Sequence, residues 1–391
     1  MTPAARLQAA IEILDEVIVS ARDDGPPADT IVSRYFKQRR YAGSKDRRAV
    51  RELVFRGIRR SAARPESGRA VMLGLCAEQP ELLELFGQPR GPEAGAAADE
   101  AAPAAFVPSW LVPELSSLVG EDEWAALLER APLDLRVNAS RTTLQDMIGQ
   151  FDGATATPLS PWGLRLPADS RVDDHPAFAA GLVEVQDEGS QLIALACQPG
   201  DGERILDLCC GAGGKALALA AAAPRAAILG TDSNRARLSK LGPRAQRAGA
   251  VIETRLLSPP RELEELADWR ASADVVLVDA PCSGSGTWRR NPEGRWRLTP
   301  ERLDRVVTLQ QHLLDIAAEL VKPGGTLVYA VCSLLSREGA GQIERFLERH
   351  SSWISEESPI PGGRADGGGR LLTPGHDRTD GFFVARLRRP C

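Results

Sequence analysis

The sequence predicts an α/β protein in which a parallel sheet wrapped by helices follows an all-helical domain and a small α+β subdomain. Three observations predict this arrangement. The chain has 391 residues, more than one ordinary core holds, so at least two domains are expected. The first 87 residues contain stretches of helical period with no clear alternating strand. From Gly202 onward, strand-like runs alternate with helical ones, which is typical of a parallel sheet.

The first domain, residues 1–87, is expected to be helical throughout. In its stretch AGSKDRRAVRELVFRGIRR, Ser44 can cap a helix. Ala49, Leu53, Val54 and Ile58 then fall on one face of that helix, with arginines around them.

Residues 34–64 of this domain contain twelve basic residues and two acidic ones, a local charge of +10 in a chain whose net charge is −5. A field of this density attracts phosphate backbones and makes binding salt-dependent. The alternative is a solvated helix face. We interpret the segment as a nucleic-acid surface whose candidate contacts are Arg47, Arg48, Arg51 and Arg59.

Residues 88–105, rich in Ala, Gly and Pro, have nothing to bury and are expected to form a mobile linker. Residues 106–182 are expected to form the small mixed subdomain, with two short helices before a strand-like region that begins at Leu133. Residues 183–391 then hold the parallel sheet, with strands in RILDLCC, AAILGTD, ADVVLVDA and GGTLVYAVCS.

Composition restricts the class of protein. The longest apolar runs, such as Ala216 to Ala223, are far too short for a membrane span, so no membrane association is expected. The N-terminal stretch mixes Glu12, Asp15 and Glu16 into its apolar pattern, unlike the core of a signal peptide. Seven scattered cysteines do not form a secreted disulfide framework, so a reducing cytoplasm is expected. Without CxxC or HxxxH spacing, no metal site is expected.

The segment ERILDLCCGAGGKALALA places a strand, a glycine turn and a helix in the order that a Rossmann-type fold uses to bind a ligand. Gly211, Gly213 and Gly214 form the turn. Asp232 ends the second strand, where a carboxylate holds a ribose diol through two hydrogen bonds. Both a dinucleotide and S-adenosyl-L-methionine fit this pattern.

Two cysteines follow other strands of the same sheet: Cys282, three residues after Asp279, and Cys332 in YAVCSLL. Ligands of such sheets bind outside the carboxyl ends of the strands, so both thiols are expected at one crevice. A lone cysteine is more often a small buried hydrophobe, which is how we interpret Cys76 and Cys197.

These residues also carry a family resemblance. The segments VQDEGSQL, DLCCGAGGK, DAPCSGSGTWRRNPEGRW, YAVCSLL and DGFFVARLRR resemble the two-cysteine type of RNA cytosine-5 methyltransferases, over residues 133–389. The basic N-terminal helices resemble the domain related to the antitermination factor NusB, which is appended in the bacterial enzymes that act on small-subunit ribosomal RNA. The resemblance implies a Rossmann-like methyltransferase domain, S-adenosyl-L-methionine as cofactor and small-subunit ribosomal RNA as partner.

The chemistry of such a reaction needs a thiolate, because cytosine C5 is a poor nucleophile until C6 has been attacked. A thiol that titrates near pH 8.5 needs cationic neighbours or backbone donors, and Arg289, Arg290 and Arg295 are candidates. Asp279 can serve as the acid beside the ring.

The resemblance assigns Cys332 as the nucleophile and Cys282 to product release. Spacing alone leaves this open, because DNA cytosine methyltransferases attack with the cysteine of a Pro-Cys pair like Pro281-Cys282.

Carried onto this chain, the resemblance implies a cofactor site in the glycine turn and at the strand ends. Ser258 stands where an aspartate often contacts adenine, and CCGAGGK lacks the proline usual in this turn. Cys209 and Cys210 are adjacent and are interpreted as turn and core residues rather than catalysts. The implied cofactor contacts are Cys209, Cys210, Gly211, Ala212, Gly213, Gly214, Lys215, Asp232, Ser258 and Asp279.

Downstream of Cys282, Arg289 and Arg290 are candidate phosphate contacts, and Trp288 is a candidate stacking surface for an extruded base. The alternative is an ordinary ion-paired turn in which Trp288 and Trp296 belong to the core.

Three other functions are open: a methyltransferase for a non-RNA substrate, a dinucleotide-dependent oxidoreductase, and an RNA-binding protein without catalysis. The oligomeric state does not follow from the sequence, although a monomer is favoured.

Overall fold

The computed structural model describes residues 1–95, 100–167 and 170–391. Its internal contacts divide the chain into two units. The helical unit comprises Met1–Glu114, Trp124–Glu129 and Thr287–Pro300. The sheet unit comprises Leu115–Glu123, Arg130–Gly286 and Glu301–Cys391. This division differs from the predicted one because residues 287–300, expected in the methyltransferase domain, pack with the helices.

The helical unit is built from α1 (Pro3–Arg22), α2 (Ala28–Gln38), α3 (Ser44–Arg60) and α4 (Gly68–Cys76). Helix α3 presents Val54 and Ile58 to the core, as its period predicts, whereas Ala49 and Leu53 are only half-buried. The expected cap at Ser44 is wrong: Gly43 occupies the cap position and Ser44 is the first helical residue.

The predicted linker, residues 88–105, is packed in part. Ala102 is buried, and its backbone N–H donates to the carbonyl of Ala70 at 2.9 Å. The guanidinium of Arg60 donates to the Ala102 carbonyl at 2.5 Å. Residues 96–99 of the predicted linker lie outside the described residues.

The two short helices expected after residue 106 are 3₁₀ turns, Ser109–Glu114 and Glu121–Glu123, rather than α-helices. Pro113 lies inside the first of them, and proline cannot donate the backbone hydrogen bond that an α-helix needs.

The predicted small subdomain is divided: residues 106–114 and 124–129 belong to the helical unit, and residues 115–123 and 130–182 belong to the sheet unit. The part from residue 130 onward forms an antiparallel sheet of four strands in the order β2-β3-β1-β4. The Arg165 guanidinium forms a two-pronged ion pair with the buried carboxylate of Asp134, at 2.7 and 2.8 Å, between adjacent strands. The last strand of this sheet, Val183–Val185, lies wholly beyond the predicted boundary at residue 182. The elements are β1 (Leu133–Val137), α5 (Leu144–Ile148), β2 (Thr155–Ala156), β3 (Gly163–Leu166), α6 (Pro176–Ala179) and β4 (Val183–Val185).

The main sheet confirms the predicted alternation of strands and helices. Its elements are α7 (Glu188–Ala196), β5 (Arg204–Asp207), α8 (Gly214–Ala222), β6 (Ala227–Asp232), α9 (Arg235–Leu238), α10 (Leu241–Ala248), β7 (Glu253–Leu256), α11 (Glu262–Glu265), β8 (Ala273–Asp279), α12 (Gly294–Arg297, in the helical unit), α13 (Pro300–Leu320), β9 (Val321–Val331), α14 (Ala340–Arg349), β10 (Ile354–Glu356), β11 (Arg364–Asp366), β12 (Gly369–Leu372), α15 (Pro374–Asp377) and β13 (Phe382–Arg388).

The strand order of the main sheet is β11-β12-β13-β9-β8-β5-β6-β7, with β10 paired to β13. Strands β5 to β9 are parallel, and β13 is antiparallel to β9. The chain builds outward from β5 to β7 and then returns to place β8 on the other side of β5. Such a reversal leaves a crevice at the carboxyl ends of the two strands, where ligands of open α/β sheets bind.

Among the described residues, no helix combines the length and apolarity that a bilayer crossing requires. Within the same ranges, no group of three or more His, Cys, Asp or Glu side chains could hold a metal ion.

Candidate active site

An ion pair joins the two strands that border the crevice. Lys215 lies in the first turn of α8, after β5, and Asp279 is the last residue of β8; Nζ and Oδ2 are 2.7 Å apart. Burial lowers the pKa of Lys215, but the charge and hydrogen bond of Asp279 outweigh it, so the net pKa is raised. The Cys332 thiol contributes in the same direction, so Lys215 is a cation within electrostatic reach of that sulfur.

The glycine turn between β5 and α8 has a left-handed backbone that residues other than glycine rarely adopt. Gly211 and Gly213 have φ of 56° and 85°. A Cβ atom on Gly213 would lie 2.1 Å from Cδ1 of Leu241, so there is no room for a side chain. The carbonyl of Ala212 accepts a hydrogen bond from Arg244 at 2.7 Å, which holds the turn from outside. The turn therefore exposes backbone rather than side chains at the crevice.

Asp232 ends β6 beside this turn, as predicted. Its Oδ2 accepts from the Gly211 N–H at 2.9 Å and its Oδ1 from the Asn234 N–H at 2.6 Å. The Leu257 N–H donates to the Asp232 carbonyl at 3.0 Å, which brings Ser258, two residues after β7, to the same sheet edge. The half-buried Ser258 is held by its own N–H, which donates to Glu265 at 2.7 Å.

The two predicted thiols lie next to each other. Cys282 lies in the turn after β8 and Cys332 follows β9 directly; their Sγ atoms are 3.2 Å apart. The hydrogen bond with Cys332, then burial and the charges of Cys332 and Glu338, raise the pKa of Cys282. Either sulfur can be the donor in this contact, so the geometry brings the two thiols together without choosing the nucleophile between them.

The adjacent Cys209 and Cys210 differ from this pair. Burial is the main cause that raises both of their pKa values, and the charges of Asp207 and Asp232 add to it. Cys210 is packed in an apolar cluster with Leu217 and Leu241. Both thiols are thus kept neutral, in line with the interpretation as turn and core residues.

Sequence reasoning missed Asp207, the last residue of β5. Its side chain is fully buried, and burial, with the charges of Asp279 and Asp232 and against that of Lys215, raises its pKa to about 7. An acid inside the apolar run ILDLCC is the signal that could have found it. Glu338, which accepts hydrogen bonds near both thiols, was also missed, and SREGAGQI contains no pattern that would indicate it.

The arginines predicted to favour the thiolate belong to the helical unit. The buried guanidinium of Arg295 donates to the carbonyls of Ile58 at 2.6 Å and Phe106 at 2.7 Å, and burial lowers its pKa to about 9. Arg289 is only 6% exposed, so it does not present a phosphate contact, and Arg290 is half-buried. The cation placed near Cys332 in the sheet unit is Lys215.

Trp288 and Trp296 are each 1% exposed. The ring N–H of Trp296 donates to the Ser61 carbonyl at 2.7 Å within the helical unit. The stacking role predicted for Trp288 is therefore wrong, and the alternative of core tryptophans is correct.

The basic face of the helical unit contains both paired and unpaired cations. Of the predicted contacts, Arg47, Arg48 and Arg51 are exposed, but Arg51 pairs with Asp29 at 2.5 Å. Arg59 is half-buried and donates to the Leu128 carbonyl at 3.0 Å, which is a structural role. Within residues 34–64, all of which the structure describes, four exposed basic side chains make neither a hydrogen bond nor an ion pair, and we call them the unpaired basic cluster: Lys37, Arg40, Lys45 and Arg48.

The chain is similar to a known protein family and to known proteins. Residues 194–388 match the family model described as 16S rRNA methyltransferase RsmB/F. The chain is 34% identical over 290 residues to "Ribosomal RNA small subunit methyltransferase B" of Salmonella arizonae, and equally to that of Salmonella typhi. Each alignment covers 72% of this chain and 66% of the relative, so the chain spans just under two thirds of their length.

Two solved structures share the fold. The crystal structure of PH0851 superposes with a TM-score of 0.78 and 22% identity, covering 100% of this chain and 99% of that one. A methyltransferase homolog protein from Pyrococcus horikoshii gives a TM-score of 0.61 and 25% identity over 71% of this chain and 92% of that one.

Proposed function

This chain belongs to the 16S rRNA methyltransferase RsmB/F family, and from that premise we propose that it transfers a methyl group from S-adenosyl-L-methionine to C5 of a cytosine in small-subunit ribosomal RNA. The observation that carries the proposal is the pair of thiols, 3.2 Å apart, at the sheet edge that also holds the Lys215–Asp279 ion pair. An oxidoreductase would give neither thiol a task.

The residues at the crevice fit the cofactor. The turn at Gly211–Gly214, whose one side chain is the methyl group of Ala212, lets a ligand approach the backbone. Asp232 would hold the ribose diol, and Ser258 would face the adenine. Asp279 and Lys215 would border the reacting end. When bound, S-adenosyl-L-methionine supplies an electrophilic methyl group on its sulfonium.

The side chains of this chain would prepare the base and release it. The Cys332 thiolate forms a bond to cytosine C6, which turns C5 into the nucleophilic carbon of an enamine. Lys215 stabilises the thiolate before attack. The attack moves electron density toward N3, which takes up a proton, and Asp279, hydrogen-bonded to the Lys215 ammonium group, would relay that proton. After methylation a base must take the C5 proton, and the Cys282 thiolate beside Cys332 is the proposed acceptor. The electron pair of the C5–H bond then restores the C5–C6 double bond and expels the Cys332 thiolate.

RNA recognition would fall to the helical unit, which we propose to be NusB-like. Exposed cations that have no acidic partner gain more from a phosphate contact, because no existing ion pair has to be broken. The unpaired basic cluster, with Arg47, is therefore the proposed contact surface, and Arg290 remains a candidate. The thiol pair needs a reducing compartment, so we propose the cytoplasm as the location and a monomer as the working form.

One assay tests the proposal. The protein is incubated with methyl-labelled S-adenosyl-L-methionine and unmodified small-subunit ribosomal RNA, and the RNA nucleosides are then separated. Label in 5-methylcytidine is expected. Label only in protein or small molecules would contradict the proposal, as would cofactor binding without any transfer.

A further inference from the structure

The carboxylate of Glu338 is fully buried and lies in the turn between β9 and α14. Its Oε1 accepts from the backbone N–H of Ser283 at 2.8 Å, and its Oε2 accepts from the hydroxyl of Ser333 at 2.5 Å. Ser283 directly follows Cys282, and Ser333 directly follows Cys332. A single carboxylate thus binds the residue next to each thiol.

A second side chain extends this clamp. Gln310, fully buried on α13, donates to Oε1 of Glu338 at 2.8 Å and to the carbonyl of Pro281 at 2.9 Å. The Cys282 turn is therefore held on both sides of the thiol, at Pro281 and at Ser283. The amide of Gln342 donates to Oε1 of Gln310 at 3.1 Å, which fixes the orientation of Gln310.

The hydrogen bonds explain why the charge is tolerated. An ionised carboxylate is costly to bury unless donors compensate it, and three donors converge on the two oxygens of Glu338. Removing the carboxylate would leave those donors without their partner. The two cysteine turns would then be joined only by the bonds they make directly, among them those from the Gly286 N–H to the Cys332 carbonyl at 3.0 Å and from the Leu334 N–H to the Ser285 hydroxyl at 2.9 Å.

We propose that Glu338 is a positioning residue that holds the turns of Cys282 and Cys332 in register, so that the two thiols face each other. The proposal rests on the proposed methyl transfer for its purpose, but the clamp can be tested without RNA.

Glu338 also has an electrostatic effect that a purely structural group would lack. The groups that act on Cys282 are Cys332, which follows β9, Tyr329 of β9, and Glu338 of the next turn. Lys215 interacts electrostatically with Asp279 and Cys332, and Tyr329 interacts with Asp279 and Arg345. The negative charge of Glu338 raises the pKa of Cys282, so neutralising it should lower that pKa.

The first test is the Glu338→Gln variant, in which iodoacetamide labelling of the Cys282 peptide is followed against pH by mass spectrometry. We expect the labelling midpoint of Cys282 to fall, because the negative charge beside it is removed. The matched control is Glu262→Gln, which neutralises another buried carboxylate of the sheet unit and should leave the midpoint unchanged. An unchanged midpoint in a folded Glu338→Gln protein would overturn the proposal.

A second variant, Ser333→Ala, keeps the charge of Glu338, which guards against a Glu338 variant that does not fold. It removes the bond from the Ser333 hydroxyl to Glu338, together with the contacts of that hydroxyl with Ser283, Ser285 and the Leu335 N–H. The readout is the rate at which diamide joins Cys282 and Cys332, its N=N bond taking up the two thiol hydrogens. A rate at least about tenfold lower is expected, because a charge-assisted hydrogen bond and its neighbours are lost. Ser358→Ala, which alters another buried hydroxyl, is the control. Equal rates in the two variants would overturn the clamp.

Kinetics then link the clamp to the reaction. In Glu338→Gln, kcat for methyl transfer should fall at least about tenfold. KM for RNA should be unchanged, because Glu338 is fully buried and would not contact the RNA. An unchanged kcat would reject the positioning role. Thiol results as expected, in a wild-type protein that labels no RNA, would instead reject the proposed function and leave the clamp standing.

Discussion

Residues 276–286 and 287–300 form one continuous stretch of sequence, VLVDAPCSGSG followed by TWRRNPEGRWRLTP, yet they belong to different units of the molecule. The first half ends a strand and presents Asp279 and Cys282 at the sheet edge. The second half buries its tryptophans and Arg295 among the helices. Polar residues of one motif thus have two different roles: those of the first half lie at the candidate active site, and Arg295 of the second half is buried in the helical unit.

The two units of the molecule differ in how they bury charged side chains. In the sheet unit, charged groups surround the reactive sulfur, and Asp207 is buried at a cost that appears as a raised pKa. In the helical unit, burial also shifts a pKa, lowering that of Arg295 to about 9, but the N–H groups of Arg295 are bonded to backbone carbonyls. The following predictions test this division.

The largest effect is expected for Cys332→Ala, which should bind S-adenosyl-L-methionine normally and transfer no detectable methyl group. The glycine turn is untouched, whereas the attack on C6 is lost. Calorimetry of cofactor binding and a labelled-methyl assay check the two parts. Cys391→Ala removes an exposed cysteine and should be fully active. Methyl transfer by Cys332→Ala would move the nucleophile to Cys282.

Asp207→Asn should stabilise the protein above pH 7. The folded-state pKa of about 7 lies above the usual 3.8, so the folded state holds the proton more tightly. Wild-type stability therefore falls as pH rises from about 4 to about 7, and the loss is complete above that range. The variant avoids up to about 4 kcal/mol of this loss, because its side chain does not titrate.

Denaturant unfolding of wild type and Asp207→Asn at pH 4 and pH 8 measures this difference. The gain should be present at pH 8 and absent at pH 4. A gain that does not depend on pH would mean that the Asp207 carboxylate is not the source of the penalty.

Arg295→Met should lower the free energy of unfolding by about 3 kcal/mol, because it leaves buried carbonyls of the helical unit without donors. Cofactor binding by the sheet unit should not change. Thermal unfolding and calorimetry give the two values. If Arg295→Met kept its stability but shifted the alkylation midpoint of Cys332, the arginine would belong with the thiol chemistry after all.

The smallest effect, on RNA affinity, is expected from alanine replacement of the unpaired basic cluster. The slope of log affinity against log salt should become shallower by up to about 3.6 units, since each of four phosphate contacts contributes about 0.9. A matched control replaces four cations of the helical unit that already have acidic partners, and its slope should change less. That control set is Arg22, Arg34, Arg39 and Arg51. Equal slope changes for the two sets would mean that pairing does not select the contacts.

Much of the sheet follows from sequence, because strand-like runs that end in Asp207, Asp232, Asp279 and Val331 are short, apolar and bounded by turn residues. The meeting of Cys282 and Cys332 could be predicted for the same reason, since parallel strands end at one edge. The sequence does not predict that β8 pairs with β5. That pairing is what brings Lys215 close to Asp279.

What could not be predicted depends on partners distant in sequence. Arg295 finds its acceptors more than 180 residues away, at Ile58 and Phe106. Glu338 is surrounded by small and polar residues in sequence, so no period marks it as buried. The unpaired basic cluster is separable from the paired arginines only when the positions of Glu12, Glu16 and Asp29 are known.

The most direct test of the central claim is the Cys282→Ala protein, incubated with the cofactor and substrate RNA. We predict a nuclease-sensitive band of low mobility on denaturing gels, because attack and methylation proceed while release is impaired. Peptide mapping of that band should place the RNA on Cys332. Turnover without any adduct, or an adduct on a different residue, would contradict the account.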